Sequence, residues 1–282
     1  MRFKSIVSAS ASAAVLAALT GGGVAYAQNP TDTEATTVGE VIVTAQKREQ
    51  RLQDVPIVVT VAGEQLLEDA GVNDIRQLTI LTPGLTVTST SNETIVTARI
   101  RGIGTVGDNP GLESSVGVVI DGVYRPRNGV GFGDLGDVSR IEVLKGPQGT
   151  LFGKNTSAGV INVITKQPTF VNHGEAEFTI GNYNTLGGSL DIGGQLVAEK
   201  LAGSIYLVNR RRDGFLDVVT GQGPRTRTDD QDQGYWSSRG QLLYQPNEAW
   251  SFRLIGDYTS RNEHCCGATQ LWVGTQANSG MP

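Results

Sequence analysis

Three short stretches hold the residue types that most often do chemistry. Gly131-Phe132-Gly133-Asp134-Leu135-Gly136 matches G-x-G-x-x-G, the spacing that lets a backbone approach a dinucleotide pyrophosphate. That use needs a strand before the glycines and a helix opened by them, and no βαβ unit surrounds this run. Gly149 to Thr156 has the outline of a phosphate loop, but its glycine spacing is short. Asn155 also follows Lys154 where a hydroxyl must reach magnesium. Turn glycines account for both runs. His264-Cys265-Cys266 offers soft metal ligands, although vicinal cysteines bridge each other only with strain. A loop disulfide to a cysteine beyond residue 282 and free thiols are both open readings. Two cysteines make no disulfide framework, and His173 stands alone at the start of a strand pattern. No nucleophile, base and orienting group occur together, so neither an enzyme nor a cofactor or metal is expected.

The chemistry therefore has to come from architecture. The chain has 282 residues with 37 Gly, 10 Pro and 18% charged residues, a low-charge, turn-rich profile that suits many short strands. Its net charge of −5 leaves no basic face for nucleic acid. Arg2 and Lys4, then the apolar run Ile6 to Leu19, then Ala25-Tyr26-Ala27 stand in the order of a secretory signal peptide over 1–27, cut to leave Gln28 first. No later stretch has the ~18 consecutive apolar residues of a spanning helix. An envelope protein of this kind is either soluble or a β-barrel.

Residues 28–46 form a polar leader that contains one β-prone island, Val38 to Ala45, with Glu40-Val41-Ile42-Val43-Thr44 at its centre. A strand stranded between polar segments cannot satisfy its own backbone groups. It is either the first strand of the next domain or a candidate to join a partner's sheet edge. Residues 47–168 read as one α+β unit. Short helices are expected at Gly63 to Ala70 and at Asn73 to Leu81, the second capped by Asn73 and stopped before Pro83. Strands are expected at Thr94 to Arg101, on both sides of the Asp121-Gly122 turn within Val116 to Tyr124, at Arg140 to Lys145, and at Val160 to Thr165.

From His173 onward the period becomes two. Ala176, Phe178 and Ile180, then Leu186, Leu190 and Ile192, then Trp236, Leu242 and Tyr244, then Trp250, Phe252, Leu254 and Tyr258 alternate with polar neighbours. A further run, third in chain order and with weaker alternation, spans Leu201 to Arg210. Segments of about ten residues, apolar on one face and aromatic near the ends, are the mark of an outer-membrane barrel; a soluble β-sandwich also alternates. Connections at Gly193 to Lys200 and Pro246 to Glu248 are short, whereas Asp213 to Gly234 and the tail from Arg261 are long and polar. Short periplasmic turns opposite long outer loops follow the barrel rule, which the brief Asn182 to Asn184 connection breaks mildly.

Asp137 to Pro168 contains IEVLKGPQGTLFG followed by GVINVITK. This run resembles the end of the plug domain of TonB-dependent outer-membrane receptors. Ile100-Arg101-Gly102 and Asp121-Gly122-Val123 resemble two further blocks of that family, and Glu40 to Thr44 resembles its TonB box. The resemblance spans residues 38 to about 260 and is most specific over 94–168. It implies an α+β plug followed by the first five or so antiparallel strands of a barrel in 169–282, where a complete family barrel has about 22. The chain is therefore expected to be an N-terminal fragment. It further implies export to the Gram-negative outer membrane, contact with lipid, and pairing of Glu40, Val41, Ile42, Val43 and Thr44 with TonB. The implied activity is energised uptake of a scarce small ligand, most often a ferric siderophore. Arg101 and Lys145 stand where the family places plug cations that face barrel-wall acids. The short leader leaves no room for the periplasmic signalling domain of some relatives. Uptake of a carbohydrate, cobalamin or aromatic compound, or binding and adhesion without transport, are the alternatives.

Overall fold

The computed structural model describes residues 41–89, 96–105, 112–126, 135–218 and 228–264. The first part is built on a five-stranded sheet. In chain order its segment contains β1 (Ile42–Val43), β2 (Gln50–Arg51), β3 (Val58–Gly63), helix α1 (Glu64–Asp69), β4 (Leu85–Ser89) and β5 (Val96–Ile100). There follow β6 (Val116–Ile120), β7 (Val123–Arg125), β8 (Val138–Lys145), helix α2 (Gly149–Phe152) and β9 (Gly159–Thr165). The sheet order is β3-β8-β9-β6-β7, with β6 and β9 parallel and the other pairs antiparallel. The apolar, β-branched content of β6, β8 and β9 suits central strands covered on both faces.

Both faces are in fact covered. Ile141, Val143, Ile161, Val163, Val116 and Val118 pack on one side with Leu67, Ile75, Leu78, Val96 and Ile100. Leu144, Val160 and Val119 pack on the other side with Val43, Ala45 and Val55. The second cover is the surprise. The segment from Ile42 onward lies over the sheet, whereas the sequence starts the folded unit at residue 47.

One local expectation is corrected. Asn73 to Leu81 is not an α-helix: only a 3-10 turn forms, at Gln77–Ile80. The Gln77 side-chain oxygen accepts from both Asn73 N and Asp74 N, and Asp74 Oδ1 accepts from Gln77 N at 3.1 Å. These local side-chain bonds compete with helix bonds, and the Asn73 side chain does not cap the turn, whose first amide, that of Gln77, bonds to Asp74. The strand near Thr94 begins, within the described residues, at Val96 and pairs with β4, which carries no strand signal of its own beyond a Thr-Val alternation. The Asp121-Gly122 turn forms as expected, with φ of 48° and 82°, the left-handed pair of a tight hairpin.

Gly159 is fixed by close approach. A Cβ there would strike the Leu144 carbonyl and lie 2.6 Å from Ile100 Cδ1. Gly159→Ala is expected to destabilise this unit by roughly 1–3 kcal/mol through overpacking, read as a lower urea midpoint with an unchanged slope.

The second part is a five-stranded antiparallel sheet. Its strands are β10 (His173–Gly181), β11 (Thr185–Val197), β12 (Leu201–Arg212), β15 (Gln233–Asn247) and β16 (Trp250–Arg261), in the order β10-β11-β12-β15-β16. A small hairpin of β13 (Leu216–Asp217) and β14 (Asp229–Asp230) extends the long connection between β12 and β15. β11, β12, β15 and β16 have 12 to 15 residues, more than the 9–11 that a tilted strand needs to cross a bilayer core. β11 continues to Val197, so its turn to β12 is tighter than the sequence suggests.

Candidate functional site: a plug seated on a two-faced wall

The register of the second sheet sorts its side chains. Phe178, Ile180, Ile192, Ile205, Leu242, Phe252 and Leu254 share the outer face and are exposed, Phe178 and Leu254 at 69% each. A contiguous apolar face of this size needs a nonpolar partner. Aromatic rings collect at its two ends. Trp236 and Tyr258 meet with centroids 5.1 Å apart at one end. At the other end Phe252 lies 5.8 Å from Trp250 and 6.5 Å from Tyr244. Trp250 and Tyr258 are about 26 Å apart along the strand at ~3.3 Å per residue, close to the ≈ 25 Å apolar band of an outer-membrane barrel. Among the described residues no helix is long and apolar enough to cross a membrane, a finding that says nothing about strands.

The inner face is polar and grips the first unit. Arg253 on β16 donates from Nη2 to Thr165 Oγ1 at 2.7 Å and to the Lys166 carbonyl at 3.0 Å, and from Nε to Gln241 Oε1 at 3.0 Å. Its Nη1 lies 3.6 Å from Asp121 Oδ1. Asp121 in turn accepts from Thr165 N at 3.0 Å and from Thr165 Oγ1 at 2.8 Å. Gln241 Nε2 donates to the Lys166 carbonyl at 3.1 Å. A second bridge runs the other way, from Arg125 of β7 to Asp257 of β16 at 2.8 Å. Lys166 bridges Asp137 at 2.8 Å and Glu64 at 2.7 Å. Burial works to lower its ammonium pKa, but the hydrogen bonds to Asp137 and Glu64 outweigh burial and hold it above the ordinary lysine value. The C-terminal end of β9 is thus fixed to β15 and β16.

Arg101 and Lys145, expected to face barrel-wall acids, are both brought to the Pro83-Gly84 turn. Lys145 Nζ donates to the Pro83 carbonyl at 2.9 Å, and Arg101 N donates to the Gly84 carbonyl at 2.7 Å. No carboxylate among the described residues pairs with either. Sequence reasoning missed Arg253, Asp121, Arg125 and Asp257. The polar positions of the alternating pattern could have flagged Arg253 and Asp257 as inward-facing, but not their partners more than 80 positions away.

The coupling-strand candidate divides. Glu40 lies outside the described residues, and Val41 and Ile42 are exposed. Ile42 pairs with Arg51 and Val43 with Gln50 in a two-residue antiparallel ladder. Val43 is fully buried, and Thr44 N donates to Glu142 Oε1 at 2.8 Å. The expectation that Glu40 to Thr44 stands wholly outside the folded unit is therefore corrected for Val43 and Thr44. No other strand among the described residues pairs with the second edge of β1.

The remaining chemical candidates are absorbed by structure or lie elsewhere. In Gly149 to Thr156 the amides of Leu151 and Phe152 donate to the Gln148 carbonyl and that of Gly153 to the Gly149 carbonyl, so they cradle no phosphate. Lys154 bridges Glu113 at 2.9 Å, and hydrogen bonds from Lys154 and then Asn155 lower the Glu113 pKa. Gly131 to Asp134 of the G-x-G-x-x-G run, Cys265 and Cys266 lie outside the described residues, as does the signal-peptide segment. His264 Nδ1 is 3.1 Å from Asp232 Oδ2. No metal-binding cluster occurs among the described residues.

A sheet with a lipid-compatible outside and a polar inside that holds an α+β unit defines the class: a plugged outer-membrane β-barrel. Residues 51–160 match the family model described as "TonB-dependent Receptor Plug Domain". The chain is 31% identical over 210 residues to the pesticin receptor of Yersinia pestis, covering 73% of this chain and 29% of that one. It is 32% identical over 169 residues to the ferrienterobactin receptor of Escherichia coli K12, covering 54% and 21%. Its fold superposes on the ferric yersiniabactin uptake receptor FyuA from Yersinia pestis with a TM-score of 0.66 at 26% identity, over 72% of this chain and 31% of that one. The chain belongs to the TonB-dependent receptors, outer-membrane proteins of Gram-negative bacteria. It spans less than a third of the length of these relatives.

Proposed function

We propose that this chain supplies the plug and part of the wall of a receptor that takes up a ferric siderophore and draws energy from the proton gradient through TonB. The observation that carries this reading is the seating of the plug. Its β9 end is fixed to the polar inner face of the wall by Arg253, while among the described residues β1 is paired along one edge only, with β2. A closed lumen needs a gate, and a strand edge at the margin of the plug gives a partner a main-chain handle. In this reading Glu40 to Thr44 is the coupling strand, and a partner strand adds to the open edge of β1 and extends the ladder it makes with β2. Residues 1–27 direct export, the plug runs to residue 168, and the wall begins at residue 169. Arg101 and Lys145 face acids on other wall strands. The protein acts by binding and transport and is not an enzyme.

The substrate class is tested in iron-starved cells that lack their own siderophore receptors and express this receptor. They should accumulate radiolabelled iron from at least one ferric siderophore in a panel. Accumulation of labelled cobalamin or maltodextrin instead, with no ferric siderophore taken up, would reject the iron reading.

A further inference from the structure

A buried charge sits beneath the coupling strand. Glu142 on β8 has no exposed surface, and its strand neighbours Ile141, Val143 and Leu144 are buried and apolar. An ionised group in such a place is costly unless fully bonded. Its partners are Thr44 N at 2.8 Å and Thr44 Oγ1 at 3.1 Å on Oε1, Arg140 Nε at 2.8 Å on Oε1, and Asn162 Nδ2 at 3.1 Å on Oε2. Arg140 and Asn162 come from the sheet itself. Thr44 alone comes from the segment that covers it, 98 positions away. Val43 and Ala45, on either side, are fully buried against Leu144, Val160 and Val119.

We propose that Glu142 is a positioning residue that anchors Thr44 to the plug sheet and so sets where the coupling strand ends. A partner would pair with the residues before Val43, and a load applied to them would meet the two-pair ladder with β2 and then, at Thr44, pass into β8 of the central sheet. The meaning of the anchor for transport rests on the coupling-strand reading given above; the anchor itself does not. Two features favour a discrete latch over ordinary packing. The ladder between β1 and β2 has only two residue pairs, too few to hold by themselves. The bonds to Glu142 are charge-assisted and shielded from water, where such bonds are strongest.

The test is hydrogen exchange on the purified receptor in detergent, comparing wild type with Glu142→Gln. Peptides covering residues 42–51 should exchange about tenfold faster or more, the effect of losing a charge-assisted bond, while peptides from β9 keep their protection. A readout confined to 42–51 is one that a general loss of stability would not give. Unchanged exchange at 42–51 overturns the proposal. Should Glu142→Gln fail to fold, Thr44 decides: Thr44→Val removes the hydroxyl and should speed exchange of the same peptide several-fold, and Thr44→Ser should restore it. Equal exchange in the two overturns the proposal. Binding of the TonB periplasmic domain is measured alongside and should tighten in the released variant. If that domain binds neither form while the exchange pattern holds, the anchor stands and the coupling-strand reading falls.

Discussion

Ile42→Pro is expected to abolish energised accumulation of ligand while leaving binding at the cell surface intact. Strand addition contributes main-chain bonds of about 0.5–1.5 kcal/mol net each, so a handful give a usable and reversible contact. Proline removes a donor and fixes φ, and so attacks the ladder itself. Ile42 is exposed and its side chain packs on neither core cluster, so the plug should tolerate the change. Val43, Thr44 and Ala45 still hold the following segment in place. Ile42→Val keeps the main chain and is expected to transport normally. The measurement pairs surface-bound and internalised ligand in the same cells. Normal accumulation in the proline variant would remove Glu40 to Thr44 from the mechanism.

Arg253→Ala is expected to loosen the plug in the wall. The guanidinium joins Thr165, Lys166 and Gln241 and faces Asp121 at 3.6 Å, with a side chain only 17% exposed. Its removal leaves the Lys166 carbonyl with Gln241 alone among these partners and takes the counter-charge from Asp121. Breaking one side of a largely buried charged pair costs about 3–5 kcal/mol. Arg253→Lys should recover only a fraction of this, because an ammonium cannot span the same fork of acceptors. The readouts are the melting temperature of the receptor in detergent and the entry of a large antibiotic that an intact plug excludes. A variant that melts with wild type and stays impermeable would show that Arg253 does not seat the plug.

The wall was the most legible part of the sequence. Period-two alternation from Ala176 to Tyr258 is a local signal, and the register carries Phe178, Leu242, Phe252 and Leu254 to one face as that alternation requires. The Asp121-Gly122 turn was legible for the same reason: its chemistry lies within two residues. The rest depends on partners distant in the chain. Val43 reads as part of a lone strand, and only the sheet face formed by Leu144, Val160 and Val119 explains its burial. Glu142 reads as a charge on a strand, and Arg253 as one more polar position in an alternating run. Their roles arise from Thr44, Thr165 and Asp121, which no spacing rule connects to them. At Asn73 to Leu81 a cap residue and a stop before Pro83 pointed to a helix, and side-chain competition from Asp74 and Gln77 reduced it to a single tight turn.

Coupling of the plug to an energised inner membrane is the central claim, and it reduces to one paired measurement. Cells that express the receptor, with and without TonB, are given the same labelled ferric siderophore, and surface-bound and internal label are counted separately. Equal surface binding in both strains, with internal label only where TonB is present and lost when the proton gradient is collapsed, is the predicted result. Equal internal accumulation in the two strains would contradict it.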